Sequence, residues 1–167
     1  MRSDDIEVIV EIPAGGQNKY EYDHVRHVIR LDRPLLSAAS YPVDYGFIPD
    51  TLAEDGDPLD ALVLLHQATF PGCHITCRPV ALFQMIDEHG PDDKVVCVPT
   101  SDPRWADVRD VNHVPALLRA TIEQFFSVYK LLEPGKWSQT RGFTDVDAAW
   151  REIDASPSRL EGTEQHR

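Results

Sequence analysis

The chain has 167 residues, of which 42% are hydrophobic and 26% are charged, a composition typical of one folded domain with a substantial core. Its 28 acidic residues against 16 lysines and arginines give a formal charge of −12. Such a field repels nucleic acid phosphates and anionic lipid heads, so we expect neither a nucleic acid nor a membrane surface as partner.

The beginning of the chain, MRSDDIEVIVEIP, lacks the basic flank and the continuous apolar region of a signal peptide. The longest aliphatic run, Ala61–Leu65, is far shorter than the roughly 20 residues that span a bilayer. Cys73, Cys77 and Cys97 make an odd number of cysteines, which favours a reducing compartment. We therefore predict a cytoplasmic protein.

Short runs rich in β-branched and aromatic residues, bounded by Pro, Gly, Asp or Asn, predict six strands. These runs are Ile6–Ile12, Lys19–Tyr22, Val28–Leu31, Ala61–His66, His74–Met85 and Lys94–Val98. Their spacing indicates a mainly β fold, a small antiparallel barrel or sandwich.

One amphipathic helix is predicted after the strands, because apolar residues recur there at steps of four and three. They are Leu118, Ile122, Phe125, Tyr129 and Leu132, before the breaker Glu133-Pro134-Gly135. We expect Leu118, Ile122, Phe125 and Leu132 to pack in the core.

A second, shorter helix is predicted from Thr144, whose hydroxyl would cap it, to about Ile153, because Pro157 follows. We predict a single domain of residues 1–156 and a polar, frayed tail of residues 157–167.

The segment Asp50–Asp60, DTLAEDGDPLD, carries five acidic residues and no lysine or arginine. Carboxylates this close raise one another's pKa or bind a cation, and such oxygen ligands suit Mg²⁺, Mn²⁺ or Ca²⁺. An EF-hand loop is excluded because the twelfth residue from Asp55 is His66 rather than a glutamate. A solvated acidic turn is the alternative reading of this segment alone.

A second acidic cluster, MIDEHGPDDK, places Asp87, Glu88, Asp92 and Asp93 around Gly90-Pro91. A polar hairpin tip explains it equally well when it is taken alone. Both clusters lie at the edges of predicted strands, however, and would converge at one end of a barrel to hold several cations, as two-metal phosphoryl-transfer sites require.

Several basic residues accompany the acidic clusters and would hold phosphate oxygens. Lys19 and Glu21 share one face of a strand that follows the Gly15–Gly16 turn, and Glu11 precedes that turn. The other cations are Arg33, Lys94 and Lys130. Each of them, taken alone, is also explained as a solubilising surface charge.

Five collinear segments carry a family resemblance: EIPAGGQNKYE, SAASYPVDYGFIPDT, DGDPLDA, RPVALFQMIDEHGPDDK and QFFSVYKLLEPGKW. Together they resemble the soluble family I inorganic pyrophosphatases, particularly the short bacterial type. The resemblance runs from Glu11 to Trp137 and so covers most of the chain.

The resemblance implies an α+β fold that is mainly β, an OB-like five-stranded barrel with one long and one short C-terminal helix. It implies hydrolysis of pyrophosphate to two orthophosphates with several Mg²⁺ ions, for which Mn²⁺ or Zn²⁺ are substitutes, and a homohexamer. A water between two divalent ions would lose a proton near neutral pH and attack the phosphorus.

Site residues are carried over from the resemblance one by one. The implied metal ligands are Glu11, Asp55, Asp60, Asp87 and Asp92. The implied phosphate-binding residues are Lys19, Arg33, Tyr45, Lys94, Tyr129 and Lys130, with Glu21 as an auxiliary acid. Asp57 and Asp92 are the two candidates for the general base. His24 and His89 lie beside these segments, and we interpret them as surface or subunit-contact residues.

Other functions are less consistent with the sequence. Cys73 and Cys77 have no second ligand pair at zinc-binding spacing, so we interpret them as buried residues. The chain contains no GxxxxGK[ST], GxSxG or HExxH motif of other hydrolases. The alternative to the enzyme is a non-catalytic OB-type module that binds divalent cations or another ligand.

Overall fold

The computed structural model describes residues 5–164, with side chains as far as Ser156. Nine strands and two α-helices follow one another in this part of the chain. They are β1 (Ile6–Ile12), β2 (Asn18–Asp23), β3 (Val28–Pro34), β4 (Asp44–Phe47), β5 (Asp60–Val63), β6 (His74–Asp87), β7 (Gly90–Pro91), β8 (Lys94–Pro99), α1 (Ala116–Val128), β9 (Ser138–Thr144) and α2 (Val146–Glu164).

Five strands close into a ring, which confirms the predicted barrel. The order is β1, β4, β5, β8 and β6, and β6 pairs back onto β1. Neighbours are antiparallel except β5 and β8, which run parallel. β6 also pairs with β7 and β9, which were absent from the predicted strands.

The strand β4 was also not predicted, and Gly46 explains how it fits. A Cβ atom at Gly46 would lie 2.0 Å from the carbonyl oxygen of Ile9, so only glycine lets β4 approach β1 this closely.

Alternate residues of the barrel strands face two hydrophobic clusters, as the period of two requires. Leu62 and Val96 belong to the cluster that contains Phe125 of α1. Ala61 and Val95 belong to the cluster that contains Ala149 of α2. The barrel wall is therefore covered by a helix on each side, and this packing holds the ends of its strands in place.

The hairpin of β2 and β3 forms a separate two-stranded sheet. Lys19 and Arg33 are cross-strand partners in it. Most of β3 is exposed to solvent, so this hairpin is a thin wall beside the barrel rather than part of its core.

The first predicted helix is confirmed, and Ile122 and Phe125 are buried as predicted. Leu118 is only partly buried against the core. The prediction for Leu132 is wrong, since this residue is 65% exposed. The physical reason is that α1 ends at Val128 and the next residues turn, which rotates Leu132 away from the apolar face.

The second helix is longer than predicted, with 19 residues against 13 in α1. Its predicted end before Pro157 is wrong. The Ser156 hydroxyl donates a 2.8 Å hydrogen bond to the Ile153 carbonyl, which has lost the N–H partner that any other residue at position 157 would supply.

The cap of the second helix is Asp145 rather than Thr144. The Asp145 carboxylate accepts a 2.9 Å bond from the Ala148 N–H. The division into a domain of residues 1–156 and a tail stays a prediction, and residues 165–167 lie outside the described part of the chain. Within that part, no helix is long and apolar enough to cross a membrane.

Candidate active site

A cavity of about 310 Å³ opens where β5 and β8 begin and β6 ends. Eight acidic side chains line it: Glu11, Glu21, Asp55, Asp57, Asp60, Asp87, Glu88 and Asp92. Four basic side chains line it as well: Lys19, Arg33, Lys130 and Lys136. Every site residue predicted from the sequence except Lys94 contributes to this lining, so segments far apart in the chain meet in one place.

The loop before β5 presents Asp55 and Asp57 on a braced backbone. Gly56 adopts a φ of 89°, which glycine tolerates better than other residues. The Asp57 N–H donates a 3.1 Å bond to Asp55 Oδ1. The Thr51 hydroxyl closes the loop, because it donates to the Ile48 carbonyl at 2.6 Å and accepts the Leu59 N–H at 2.9 Å.

Lys94 lies beneath the cavity lining, at the start of β8. Its side chain is 1% exposed, and its Nζ lies 3.0 Å from Asp60 Oδ2 and 3.1 Å from Asp92 Oδ2. β5 and β8 run parallel with Asp60 opposite Lys94, and this register brings the two charges together. The lysine thus neutralises part of a buried carboxylate pair.

Burial and oppositely charged neighbours shift the pKa values of Asp60, Asp92 and Lys94 in opposite directions. Burial, with a smaller contribution from Asp92, raises the pKa of Asp60 to about 8 against the effect of Lys94. Burial also raises the pKa of Asp92, but Lys94 and a hydrogen bond from Asp60 outweigh it and lower that pKa. Burial lowers the pKa of Lys94, yet the two aspartates hold it well above its usual value.

A second lysine, Lys130, follows the end of α1 and faces the acidic end of β6. Its Nζ lies 3.0 Å from Asp87 Oδ2 and 3.4 Å from Glu88 Oε1. The other oxygen of Glu88 accepts the Trp137 N–H at 3.3 Å. These bonds hold the β6 end, the α1 end and the chain before β9 together around the cavity.

Glu11 occupies the opposite side of the cavity, at the end of β1. It is buried and accepts the Tyr22 N–H at 2.7 Å. Burial, with a smaller contribution from Glu21, raises the pKa of Glu11 to about 7, although the bond from Tyr22 opposes this rise.

The donor set is suited to divalent metal ions, which prefer carboxylate oxygens. Within residues 5–164, however, no three His, Cys, Asp or Glu side chains form a preformed metal cluster. Instead, Asp60, Asp87 and Asp92 pair with lysines. The eight acids against four bases of the lining leave a charge that divalent cations would balance.

The chain is similar to known proteins along nearly its whole length. A family model described as inorganic pyrophosphatase matches residues 8–161. The chain belongs to the inorganic pyrophosphatase family. The inorganic pyrophosphatase of Streptomyces coelicolor is 49% identical over 162 residues, which cover 97% of this chain and 99% of that protein.

Solved structures of other pyrophosphatases share the fold. The enzyme of Thermus thermophilus matches with a TM-score of 0.92 and 44% identity, covering 95% of this chain and 92% of that one. The enzyme of Coxiella burnetii matches with a TM-score of 0.92 and 42% identity, covering 94% and 95%. The predicted family, fold and enzyme class are confirmed, and members of this family depend on metal ions.

Some residues that line this pyrophosphatase cavity were not among the predicted site residues. They are Tyr20, Tyr22, His24, Tyr41, Glu88, His89 and Lys136. Glu88, Tyr41 and Lys136 all lie inside segments that carried the resemblance, and this position was the available signal. The two histidines line the cavity.

Proposed function

We propose that this protein hydrolyses inorganic pyrophosphate to two orthophosphates at the cavity between β1, β5, β6 and β8. The observation that carries the proposal is the convergence of eight acidic and four basic side chains on one cavity in a chain of the pyrophosphatase family. The acids suit metal ions and the bases suit phosphate oxygens, which is the combination that phosphoanhydride hydrolysis needs.

Glu11, Asp55, Asp60, Asp87 and Asp92 would hold the metal ions, with Glu21 as an auxiliary acid. Mg²⁺ is the proposed ion, several per site, with Mn²⁺ or Zn²⁺ as substitutes, because the donors are carboxylate oxygens. When bound, these ions supply Lewis-acid stabilisation of charge and lower the pKa of water near the phosphorus.

Asp57 is the proposed general base, and Asp92 is the alternative. The Asp92 carboxylate forms an ion pair with Lys94, with 3.1 Å between Asp92 Oδ2 and Lys94 Nζ. Asp57 sits on the braced loop at the cavity, and no lysine or arginine of the described residues forms an ion pair with it. A carboxylate that is not held by a lysine accepts a proton from water more readily.

Lys19, Arg33, Tyr45, Tyr129 and Lys130 would hold the phosphate oxygens. They approach the cavity from the hairpin, from β4 and from the end of α1. Lys94 was also predicted to bind phosphate. Its Nζ lies under the lining between Asp60 and Asp92, so we propose that it acts on the substrate through its charge.

A homohexamer in the cytoplasm is the proposed state of the protein. Large apolar side chains remain exposed on the chain, and subunit contacts would cover them. They are Val25, Val28, Leu31, Leu36, Phe70, Leu117, Leu131, Leu132 and Trp137. The unpaired Cys73, Cys77 and Cys97 support a reducing compartment. Light scattering tests the subunit number.

Phosphate release from pyrophosphate, from ATP and from a simple phosphate monoester tests the activity, each with Mg²⁺ and with chelator. We expect rapid release from pyrophosphate with Mg²⁺ only. Equal rates on the three substrates, or no response to chelator, would reject the proposal. The alternative of a non-catalytic OB-type cation or ligand module is not favoured, because the similar proteins are pyrophosphatases along nearly their whole length.

A further inference from the structure

Arg33 is held at the cavity by two acids, one of which comes from a distant part of the chain. It lies near the end of β3, on the hairpin whose two strands form a sheet separate from the barrel. Its guanidinium pairs with Glu133, 100 positions later in the sequence, and with the adjacent Asp32.

The contact with Glu133 has two points. Arg33 Nε donates to Glu133 Oε1, and Arg33 Nη2 donates to Glu133 Oε2 at 3.3 Å. Arg33 Nη1 donates to Asp32 Oδ2. A two-point contact between a guanidinium and a carboxylate fixes the plane of the guanidinium. Three of its five N–H bonds are engaged in this way, and two remain for an anion.

Glu133 is the more firmly placed member of the pair. Its side chain is 7% exposed, against 25% for Arg33. Its N–H donates a 3.0 Å bond to the Lys130 carbonyl in the turn after α1. Glu133 does not line the cavity, whereas Arg33 does. The acid therefore belongs to the helix side of the molecule and reaches across to a cation on the exposed hairpin.

We propose that Glu133 is a positioning residue, which orients the Arg33 guanidinium so that its remaining N–H bonds face pyrophosphate. The inference rests on the proposed role of Arg33 in binding substrate. Without Glu133, a long side chain on a thin hairpin would sample several rotamers, and substrate binding would have to order it. The turn that carries Glu133 also carries Tyr129 and Lys130. The pair of Glu133 and Arg33 therefore also holds Arg33 at a fixed distance from these two phosphate-binding residues.

A double-mutant cycle tests this inference in the full chain with pyrophosphate and Mg²⁺. We expect Glu133→Ala to lower kcat/KM about tenfold, the size expected for a lost hydrogen bond between charged groups. We expect Arg33→Met to lower kcat/KM more, and the double variant to be no worse than Arg33→Met alone. A merely structural role of Glu133 would instead reduce kcat/KM by the same factor in both backgrounds.

The results distinguish the positioning role of Glu133 from the substrate-binding role of Arg33 on which it rests. Equal loss from Glu133→Ala with and without Arg33, or no loss at all, would overturn the positioning role. An Arg33→Met variant with unchanged kcat/KM would reject the binding role of Arg33, and the positioning role with it. If Glu133→Ala does not fold, Glu133→Gln replaces it in the same cycle, because it keeps the shape and one acceptor oxygen.

A matched control comes from another acid–arginine pair. Asp102 binds Arg104 through both carboxylate oxygens, and neither residue lines the cavity. We expect Asp102→Asn to leave kcat/KM unchanged, which would show that breaking such a pair elsewhere does not affect turnover.

Discussion

Two groups of residues at the edge of the cavity and beneath it hold lysine or arginine beside aspartate in very different surroundings. The floor consists of Asp60, Asp92 and Lys94, and its side chains are 19%, 13% and 1% exposed. The hairpin wall consists of Lys19, Asp32 and Arg33, and its side chains are 31%, 35% and 25% exposed. Burial, rather than the number of ion pairs, decides how strongly each group depends on its partners.

Removing Lys94 tests the floor and has the largest expected effect. We expect Lys94→Met to lower the free energy of unfolding by about 3–5 kcal/mol, because two buried carboxylates lose their counter-charge. Urea unfolding in chelator measures this change. The matched control is Lys19→Met on the hairpin wall, for which we expect a loss below about 1 kcal/mol. Similar losses in the two variants would contradict the comparison.

Asp60→Ala tests the floor as part of the proposed metal site. We expect kcat to fall more than about 100-fold and metal binding to weaken, because a lost carboxylate ligand is not replaced by water with the same geometry. Phosphate release and calorimetric titration with Mg²⁺ measure the two effects. Glu54→Ala is the control, since Glu54 belongs to the same loop and is not part of the lining. Unchanged turnover of Asp60→Ala at saturating Mg²⁺ would show that the ligand assignment is wrong.

Glu133, which pairs with Arg33 on the hairpin wall, is expected to make a smaller contribution to stability, and this contribution depends on pH. Burial raises the pKa of Glu133, but the bonds and charge of Arg33 outweigh it and hold that pKa below its usual value. The pair therefore stabilises the fold above the pKa of the unfolded glutamate, and this contribution is lost as the pH falls through the folded pKa.

Glu133→Gln resembles the protonated glutamate in shape, so it isolates this contribution. We expect the variant to be less stable than the original protein at pH 7, and the difference to shrink as the solution is acidified below the usual glutamate range. Urea unfolding of both proteins across the acidic range measures it. A difference that is constant or grows towards low pH would contradict the assigned role of the pair.

Asp32→Asn tests the hairpin wall itself and has the smallest expected effect. Asp32 Oδ2 accepts a bond from Arg33 Nη1 and lies 3.7 Å from Lys19 Nζ, and all three side chains are a quarter to a third exposed. We expect the free energy of unfolding to change by less than about 1 kcal/mol, and less still in high salt. Unfolding at low and high ionic strength measures this. A larger loss of stability that salt does not reduce would show that the contacts of Asp32 stabilise the fold as strongly as the buried pairs of the floor.

The sequence predicted those elements of the fold whose signal is local. The run of β-branched residues in β1 and the apolar run of β5 were sufficient to find these strands. β9 was missed because its sequence, SQTRGFT, is mostly polar, and it becomes a strand by pairing with the edge of β6. The end of α2 was missed because the helix continues through Pro157, where the Ser156 hydroxyl gives the Ile153 carbonyl a partner and so offsets part of the cost of the proline.

The candidate site likewise contains residues that the local sequence predicts and residues that only the fold brings together. Asp55, Asp57 and Asp60 lie within six positions of the chain, so their proximity could be predicted from the loop alone. The predicted phosphate ligand Lys94 lies instead under the lining, because the parallel register of β5 and β8 places it against Asp60. Glu133 lies in a segment that carried the resemblance, but its pairing with Arg33 had no sequence signal, since the two residues are 100 positions apart.

The amino-acid order alone determined the kinds of chemical group available here: oxygen donors in two acidic loops, a few cations, and strands that end beside them. Only the tertiary structure decided which acid meets which base and how much water remains around each pair. The physical reason is that the energy of a charge depends on its distance from other charges and on its burial, and both are set by strand register and helix packing.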